Sequence, residues 1–172
     1  RRPTASPLQG RMGAGMAANL IEAGHDVALF NRTPGRIDEL VAAGARVADD
    51  VAAACRGRSV VITMLANDAA LEEVALGSGG LRDSLSPGAI HLAMGTHGVA
   101  AVRRLEAAHA AQSQALVAAP VLGRPEAAAA GQLGIVVAGP PAAVGACTPL
   151  FEAIGRRSFD AGIDPAGASA IK

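Results

Sequence analysis

The stretch Gly10-Arg11-Met12-Gly13-Ala14-Gly15-Met16-Ala17-Ala18-Asn19-Leu20 decides how the rest of this chain is read. It is a glycine-rich turn running straight into a helix. Glycines in such a turn take positive φ, let bare backbone approach a phosphate, and let the helix pack closely on its strand. Met16, Ala17, Leu20 and Ile21 give the helix one apolar face, and Gly24 stands where such a helix ends. Val27-Ala28-Leu29-Phe30 then has the short, continuous apolar character of a strand buried on both faces.

The alternation continues outward. Thr33 can cap and Pro34 can open a helix reaching about Ala43, with Ile37, Leu40 and Val41 as its buried stripe. Arg46 to Ala48 predicts a short edge strand, and Asp49 or Asp50 caps a brief helix through Cys55. Ser59 to Leu65 is the clearest strand, β-branched and apolar throughout its middle. Helices over Asp68–Ala75 and Gly98–Ala111, the latter turning Val99, Val102 and Leu105 inward, alternate with strands over Ala89–Leu92 and Gln114–Ala118. After an irregular stretch from Ala119 to Pro125 come a helical turn over Glu126–Ala130 and a strand over Leu133–Val137. A helix over Pro141–Ile154, which Pro149 should break or kink, precedes a last short strand, Arg157–Phe159.

This pattern predicts an α/β fold: a Rossmann-type doubly wound sheet, mostly parallel and covered on both faces. One piece is expected to be missing or degenerate. The segment Arg1 to Pro7 carries two arginines and two prolines, and is read as unable to form the buried first strand at the sheet centre.

Composition narrows the function. The chain has 172 residues, 51% of them hydrophobic, enough for one domain with a real core. Fifteen basic and fifteen acidic side chains cancel, and three Phe with no Tyr or Trp leave little for base stacking, so no nucleic-acid partner is expected. No apolar run approaches the roughly 20 residues of a bilayer span, so no membrane is expected either. The twin arginine at the start has no apolar segment behind it, no signal peptide is read, and a cytoplasmic location is expected. Cys55 and Cys147 lack metal or redox spacing and read as buried free thiols. The four histidines show no metal spacing; only His97, beside Thr96, falls near the expected site, and it is read as a loop residue rather than as an acid.

Of the pattern G-x-G-x-x-G only the second and third glycines are present, as Gly10 and Gly13, with Leu8 in the first place. On these residues alone, a helix-start turn without ligand stands as an equal alternative. Spacing tips the balance, because Asn31 follows Gly13 by about 18 residues, near where a ribose-reading residue belongs. Asn31-Arg32-Thr33 offers a cation and a hydroxyl in place of an acid, which suits a 2′-phosphate and favours NADP over NAD. A solvated loop cation is the plainer reading of Arg32.

Taken together, Gly10 to Leu20, Gly24-His25-Asp26-Val27 and Asn31-Arg32-Thr33 resemble the opening of the β-hydroxyacid dehydrogenases. That group includes 3-hydroxyisobutyrate and 6-phosphogluconate dehydrogenases, glyoxylate and succinic semialdehyde reductases, and imine reductases. The likeness continues through Met64-Leu65, Gly79-Gly80-Leu81, Met94-Gly95-Thr96, Ala119-Pro120-Val121 and Gly131-Gln132-Leu133. The resemblance implies an NADP-dependent oxidoreductase moving hydride to or from a small hydroxyacid, aldehyde or imine. It implies that backbone around Gly10, Arg11, Met12 and Gly13 holds the pyrophosphate and that Met64, Leu65 and Ala66 line the path of the riboses. Thr96 would approach nicotinamide and substrate. Gly167 to Lys172 matches a G-x-x-x-x-K pattern whose lysine is the general acid or base, which makes Lys172 the catalytic candidate. The substrate-anion loop departs from the family's Ala-Pro-Val-Ser-Gly-Gly: here it reads Ala119-Pro120-Val121-Leu122-Gly123-Arg124, leaving the Gly123 amide and Arg124 as substrate contacts.

On this reading residues 1–161 are the dinucleotide-binding domain and residues 162–172 begin a linking helix to an all-helical domain that completes the site and forms a homodimer in the full-length parent. The alternative is a non-catalytic or fragmentary dinucleotide-binding module, for which the departures at Leu8, Leu122 and Arg124 speak.

Overall fold

The computed structural model describes the backbone of residues 3–6, together with residues 10–30 and 37–171. Strand β1 (Pro3–Ser6) lies between β2 (Asp26–Leu29) and β4 (Val60–Thr63) and runs parallel to both, with Thr4 opposite Val27 and Val60. This corrects the expectation that the first strand is missing. Pro3 takes the strand's first position, where an absent N–H is tolerated, and Pro7 follows its last residue, so the prolines bracket the strand.

With β3 (Arg46–Val47), β5 (Ile90–Ala93) and β6 (Ala115–Ala118), the order is β3-β2-β1-β4-β5-β6, every pairing parallel. The order reverses between β1 and β4, and beyond the carboxyl ends of such strands lies the natural crevice of this fold. A second sheet holds β7 (Val121–Leu122), β8 (Leu133–Val137) and β9 (Gly155–Asp160), with β7 antiparallel to β8 and β9 parallel to it. An antiparallel bridge between Ala118 and Ala138 joins the sheets. The stretch expected to be irregular therefore contains β7, whose two residues are too few to show a period.

Alternation along β4 shows how the sheet is buried. Val60 and Ile62 join Met16, Leu20 and Leu92 on one face, while Val61 joins Leu71 and Leu105 on the other. The helices that supply these side chains are α1 (Gly10–Glu22), α4 (Asp68–Leu76) and α6 (Val99–Ala110). Local chemistry starts two of the helices. Asp50 accepts from Ala53 N at 2.6 Å at the head of α3 (Val51–Cys55), and Asn67 accepts from Ala70 N at 2.9 Å at the head of α4.

Several details depart from expectation. In the described part of the second helix, α2 (Asp38–Ala42), Ile37 and Leu40 are half-buried and Val41 is exposed, so no fully buried stripe forms. A short α5 (Leu81–Ser84) follows the Gly77–Gly80 loop. Val102 and Leu105 of α6 are buried, but Val99, its first residue, is exposed. The last long helix, α8 (Pro141–Ile154), continues through Pro149 unbroken; Ala143, Cys147, Leu150, Phe151 and Ile154 bury one face on both sides of the proline and hold its halves in register. Between β7 and β8 lies α7 (Pro125–Ala129), and α9 (Pro165–Ile171) ends the described chain.

One polar chain crosses the core. Thr63 Oγ1 lies 2.9 Å from His91 Nε2, His91 Nδ1 lies 2.9 Å from His109 Nε2, and His109 Nδ1 lies 2.6 Å from Gln114 Oε1. The Gln114 amide donates to the carbonyls of Arg82 and Leu85 at 3.0 and 2.8 Å. That fixes every proton. Gln114 Oε1 can only accept, so His109 donates from Nδ1 and accepts at Nε2; His91 then donates from Nδ1, and the Thr63 hydroxyl donates to His91 Nε2. All four side chains are buried and both rings are neutral. Burial, reinforced by the neighbouring ring, holds the His91 pKa well below its ordinary value, and burial likewise lowers that of His109.

Among the described residues, no helix is long and apolar enough to cross a membrane, and no group of three or more His, Cys, Asp or Glu could hold a metal ion. Neither cysteine forms a disulfide and both are buried, as expected.

Candidate functional site

Helix α1 opens at Gly10, next in the described chain after β1, at the reversal of strand order. Gly10 has φ of +75°, a backbone state that suits glycine, and Gly13 is buried. The first turn of α1 carries no acidic residue, so no side chain of its own neutralises the helix's positive end. Arg11 is exposed and pairs with Glu126 at 3.4 Å, and Met12 is half-buried against the core.

The same helix carries α7 on its flank. A Cβ on Gly15 would lie 2.8 Å from Ala129 N, so only glycine admits the α7 backbone there. Asn19, one turn on, donates from Nδ2 to the carbonyls of Ala128 at 2.7 Å and Gly15 at 3.0 Å. This docking ties the 119–124 loop, which leads into α7, to the helix of the glycine turn. Within that loop Gly123 has φ of +146°, and a Cβ on it would lie 2.8 Å from Leu133 Cδ2. Gly123 and Arg124 are both exposed.

The loops after neighbouring strands are stitched together along the carboxyl edge. Met94 N donates to Thr63 O at 2.8 Å, Ala119 N to Ala93 O at 2.7 Å and Val121 N to Met94 O at 3.3 Å. Met64 is half-buried, Leu65 is buried, and Ala66 and Thr96 are exposed. A cleft of about 640 Å³ opens between the loops after β4 and β5, lined by Ala66, Asn67, Asp68, Thr96, His97 and Gly98. Thus Ala66 and Thr96, 30 residues apart in the chain, line one shallow, open depression.

Two residues of this cleft had no site role in the sequence reading. Asp68 Oδ1 accepts from His97 Nδ1 at 3.1 Å and from Gly98 N at 3.1 Å, so one carboxylate bridges the two loops. His97 is not a solvated loop residue: its side chain is 1% exposed and its Nε2 is buried without a hydrogen-bond partner. Burial lowers its pKa from the ordinary value, against the opposing pull of Asp68. Position beside Thr96 was the only signal of this in the sequence, since Asp68 lies 29 residues away.

Asn31, Arg32, Thr33 and Lys172 lie outside the described residues. The helix leading to Lys172 is anchored at its start. Arg103 grips Asp164 with both guanidinium nitrogens, at 2.8 and 2.5 Å, and Asp164 accepts from Ala166 N at 3.0 Å. Ala166 and Ala168 are buried, and a Cβ on Gly167 would meet Ala161 O at 2.8 Å. The segment that enters this helix is therefore pinned to α6 through Asp164.

Comparison with known proteins agrees with this architecture. Residues 9–162 match the family described as the NAD binding domain of 6-phosphogluconate dehydrogenase. The chain is 40% identical over 163 residues to the uncharacterized oxidoreductase YfjR of Bacillus subtilis, covering 95% of this chain and 57% of that protein. It is 40% identical over 158 residues to the NAD-dependent L-serine dehydrogenase of Pseudomonas aeruginosa, covering 92% of this chain and 53% of the relative. Among solved structures, Psf3 in complex with NADP+ and 2-OPP superposes with a TM-score of 0.92 at 28% identity, over 98% of this chain and 59% of that one. The chain thus spans little more than half the length of the relatives it matches. It is a Rossmann-type dinucleotide-binding unit, and it belongs to the family of the NAD binding domain of 6-phosphogluconate dehydrogenase.

Proposed function

We propose that this chain is the cofactor-holding domain, residues 1–161, of an NADP-dependent oxidoreductase that moves hydride to or from a small hydroxyacid, aldehyde or imine, with residues 162–172 starting the helix toward a second domain that supports a homodimer. The observation that carries the reading is the adjacency of β1, β4 and β5, whose following segments hold Gly10 to Gly13, Met64 to Ala66, and Thr96. The residues present fit a dinucleotide. Gly10, with positive φ, and an acid-free first helical turn suit a pyrophosphate, and Ala66 and Thr96 line one depression beyond the neighbouring strands.

When bound, the dinucleotide supplies or accepts the hydride. The chain's own residues do the rest. Backbone N–H groups of the first turn of α1 hold the phosphates, and Arg11 leaves Glu126 to pair with one of them. Asn31, Arg32 and Thr33 bind the 2′-phosphate, and Thr96 orients the nicotinamide half and the substrate. The Gly123 amide and Arg124 take the substrate's anionic end where it has one. Lys172 would give a proton to the oxygen or nitrogen of the double bond whose carbon takes the hydride, or remove one in the reverse direction.

Relatives differ in cofactor. One is named as NAD-dependent and another structure holds NADP+, so Arg32 carries the choice made here. Titration of the purified protein with NADPH and NADH, followed by the ligands' own fluorescence, tests it. NADPH should bind more tightly, and Arg32→Ala should remove about ten- to hundredfold of that preference. Equal or tighter NADH binding by the unaltered protein overturns the cofactor assignment. For the acid, Lys172→Ala should abolish turnover of short aldehydes and imines by the full-length protein while leaving NADPH affinity within about twofold. Undiminished turnover removes Lys172 from the mechanism.

A further inference from the structure

We infer that the free edge of β9 pairs antiparallel with β9 of a second copy of this chain, about a two-fold axis through Ser158. The interface uses residues of this domain and does not rest on the dinucleotide reading. It is separate from the homodimer that the second domain is proposed to support.

The edge is open. β9 ends the order β7-β8-β9, and among the described residues no strand lies on its other side. Ala161 N donates to Val137 O at 2.7 Å, and along a strand successive residues turn their backbone groups to opposite sides. Residues 157, 159 and 161 therefore face β8, and Ser158 and Asp160 turn N–H and C=O outward. The side chains from Arg156 to Asp160 are exposed, Phe159 by 42%. The Arg157 guanidinium stands over the Phe159 ring, 5.0 Å from its centroid, so an aromatic ring and a cation are presented together at the edge.

Charges on an edge strand ordinarily blunt it. Here their order along the strand selects one pairing. Two copies laid parallel in register would set each arginine against itself. Antiparallel pairing about Ser158 instead sets Arg156 opposite Asp160 of the second copy and Arg157 opposite its Phe159, each contact made twice by symmetry. It also brings the outward backbone groups of Ser158 and Asp160 against the second strand, as a hydrogen-bonded pairing requires. Slipped by two residues one way, Arg157 meets Arg157; slipped the other way, Arg156 falls opposite Gly162 and no opposite charges meet. Asp160 accepts from Gly162 N through Oδ1 at 2.8 Å, which holds the carboxylate at the strand end and leaves Oδ2 for the arginine. The register irregularity between Leu133 and Gly134 falls across from Arg156, so residues 157–160 supply the regular backbone edge and Arg156 contributes its long side chain.

Sedimentation velocity of the 172-residue chain tests the pairing, with interference optics because the chain has no Tyr or Trp. Dimer should accumulate as the concentration rises to about 0.5 mM, as suits an interface at the small end of the range. Arg156→Asp and Asp160→Arg should each weaken self-association about tenfold or more, because each sets like charges opposite one another at two places. Mixed one to one, the two variants should recover the affinity of the unaltered chain, since the acidic edge of one then faces the basic edge of the other; that recovery also shows that both fold. The inference is overturned if the unaltered chain stays monomeric at about 0.5 mM, if either variant self-associates as the unaltered chain does, or if the mixture stays monomeric.

Register is read without altering charge. The two-fold brings the Cα atoms of residue 158 in the two copies to about 5.5 Å, within disulfide reach. Ser158→Cys should therefore give a disulfide-linked dimer under mild oxidation, while the unaltered chain, whose Cys55 and Cys147 are buried, should give none. Absence of the Ser158→Cys cross-link overturns the pairing about Ser158.

Discussion

Acid should unfold this protein through its buried histidines before its carboxylates titrate. His91 and His109 are neutral in the fold, with pKa values lowered by burial, whereas in the unfolded chain each titrates near 6.5. The sign follows. Above about pH 6.5 neither state binds a proton at these rings and their contribution is pH-independent. Below it the unfolded chain binds protons that the native state refuses, so stability falls with pH until the depressed native pKa values are reached. Each refused proton is worth about 1.4 kcal/mol per pH unit, so the pair removes about 2.7 kcal/mol per unit once the unfolded rings are charged. His97, also lowered, adds to the same slope.

His109→Leu separates the network from general acid lability. It leaves His91 Nδ1–H and Gln114 Oε1 buried without partners, which costs roughly 1–3 kcal/mol each at pH 7.5. It also removes one refused proton, so the slope below pH 6.5 should drop by about 1.4 kcal/mol per unit. Without Tyr or Trp the chain gives little intrinsic fluorescence, so urea unfolding is followed by far-UV circular dichroism from pH 7.5 to 5.0. A wild-type midpoint that does not move across this range, or an unchanged slope in His109→Leu, refutes the fixed-tautomer network.

Three further outcomes follow from packing. Gly15→Val should lower the thermal midpoint and cost about 1–3 kcal/mol, because its Cβ is driven into the backbone of Ala128 and Ala129; a midpoint equal to wild type would show that α7 does not dock closely. Asn19→Ala should cost about 1 kcal/mol and speed hydrogen exchange at the Gly131 and Gln132 amides, which close the end of α7; unaltered exchange there would count against the Asn19 clamp. Cys55, buried and with its pKa pushed up to about 12 by burial and the nearby Asp50 charge, should resist iodoacetamide at pH 8 in the native protein and react in urea; native labelling at the rate of a free thiol would contradict its burial.

Much of the fold is legible in the chain because it depends on neighbours in sequence. The positive φ of Gly10 and Gly24, the Asp50 cap and the apolar run of β4 are local matters, and each stands where its residues indicate. The first strand was misread because its prolines were weighed as residues of a strand interior; Pro3 is instead the strand's first residue, and parallel partners on both sides supply what composition withholds. Pro149 was misjudged for the same reason, since the buried face of α8 outweighs one lost hydrogen bond.

At the site, the sequence by itself determined the glycine turn, the strand-end loops and the candidate residues Met64, Leu65, Ala66, Thr96, Gly123 and Arg124, because these lie at fixed distances from recognisable elements. Only the tertiary structure decided that Asp68 reaches His97, that Gly95 makes room for the ring, that Gly15 and Asn19 bind α7, and that His91, His109 and Gln114 form one directed chain. These contacts join residues that different strands and helices bring together, and no periodicity or local propensity encodes such a meeting. A histidine reads alike in a loop and in a core until its neighbours are known, because burial and hydrogen-bond partners, not residue type, set its proton.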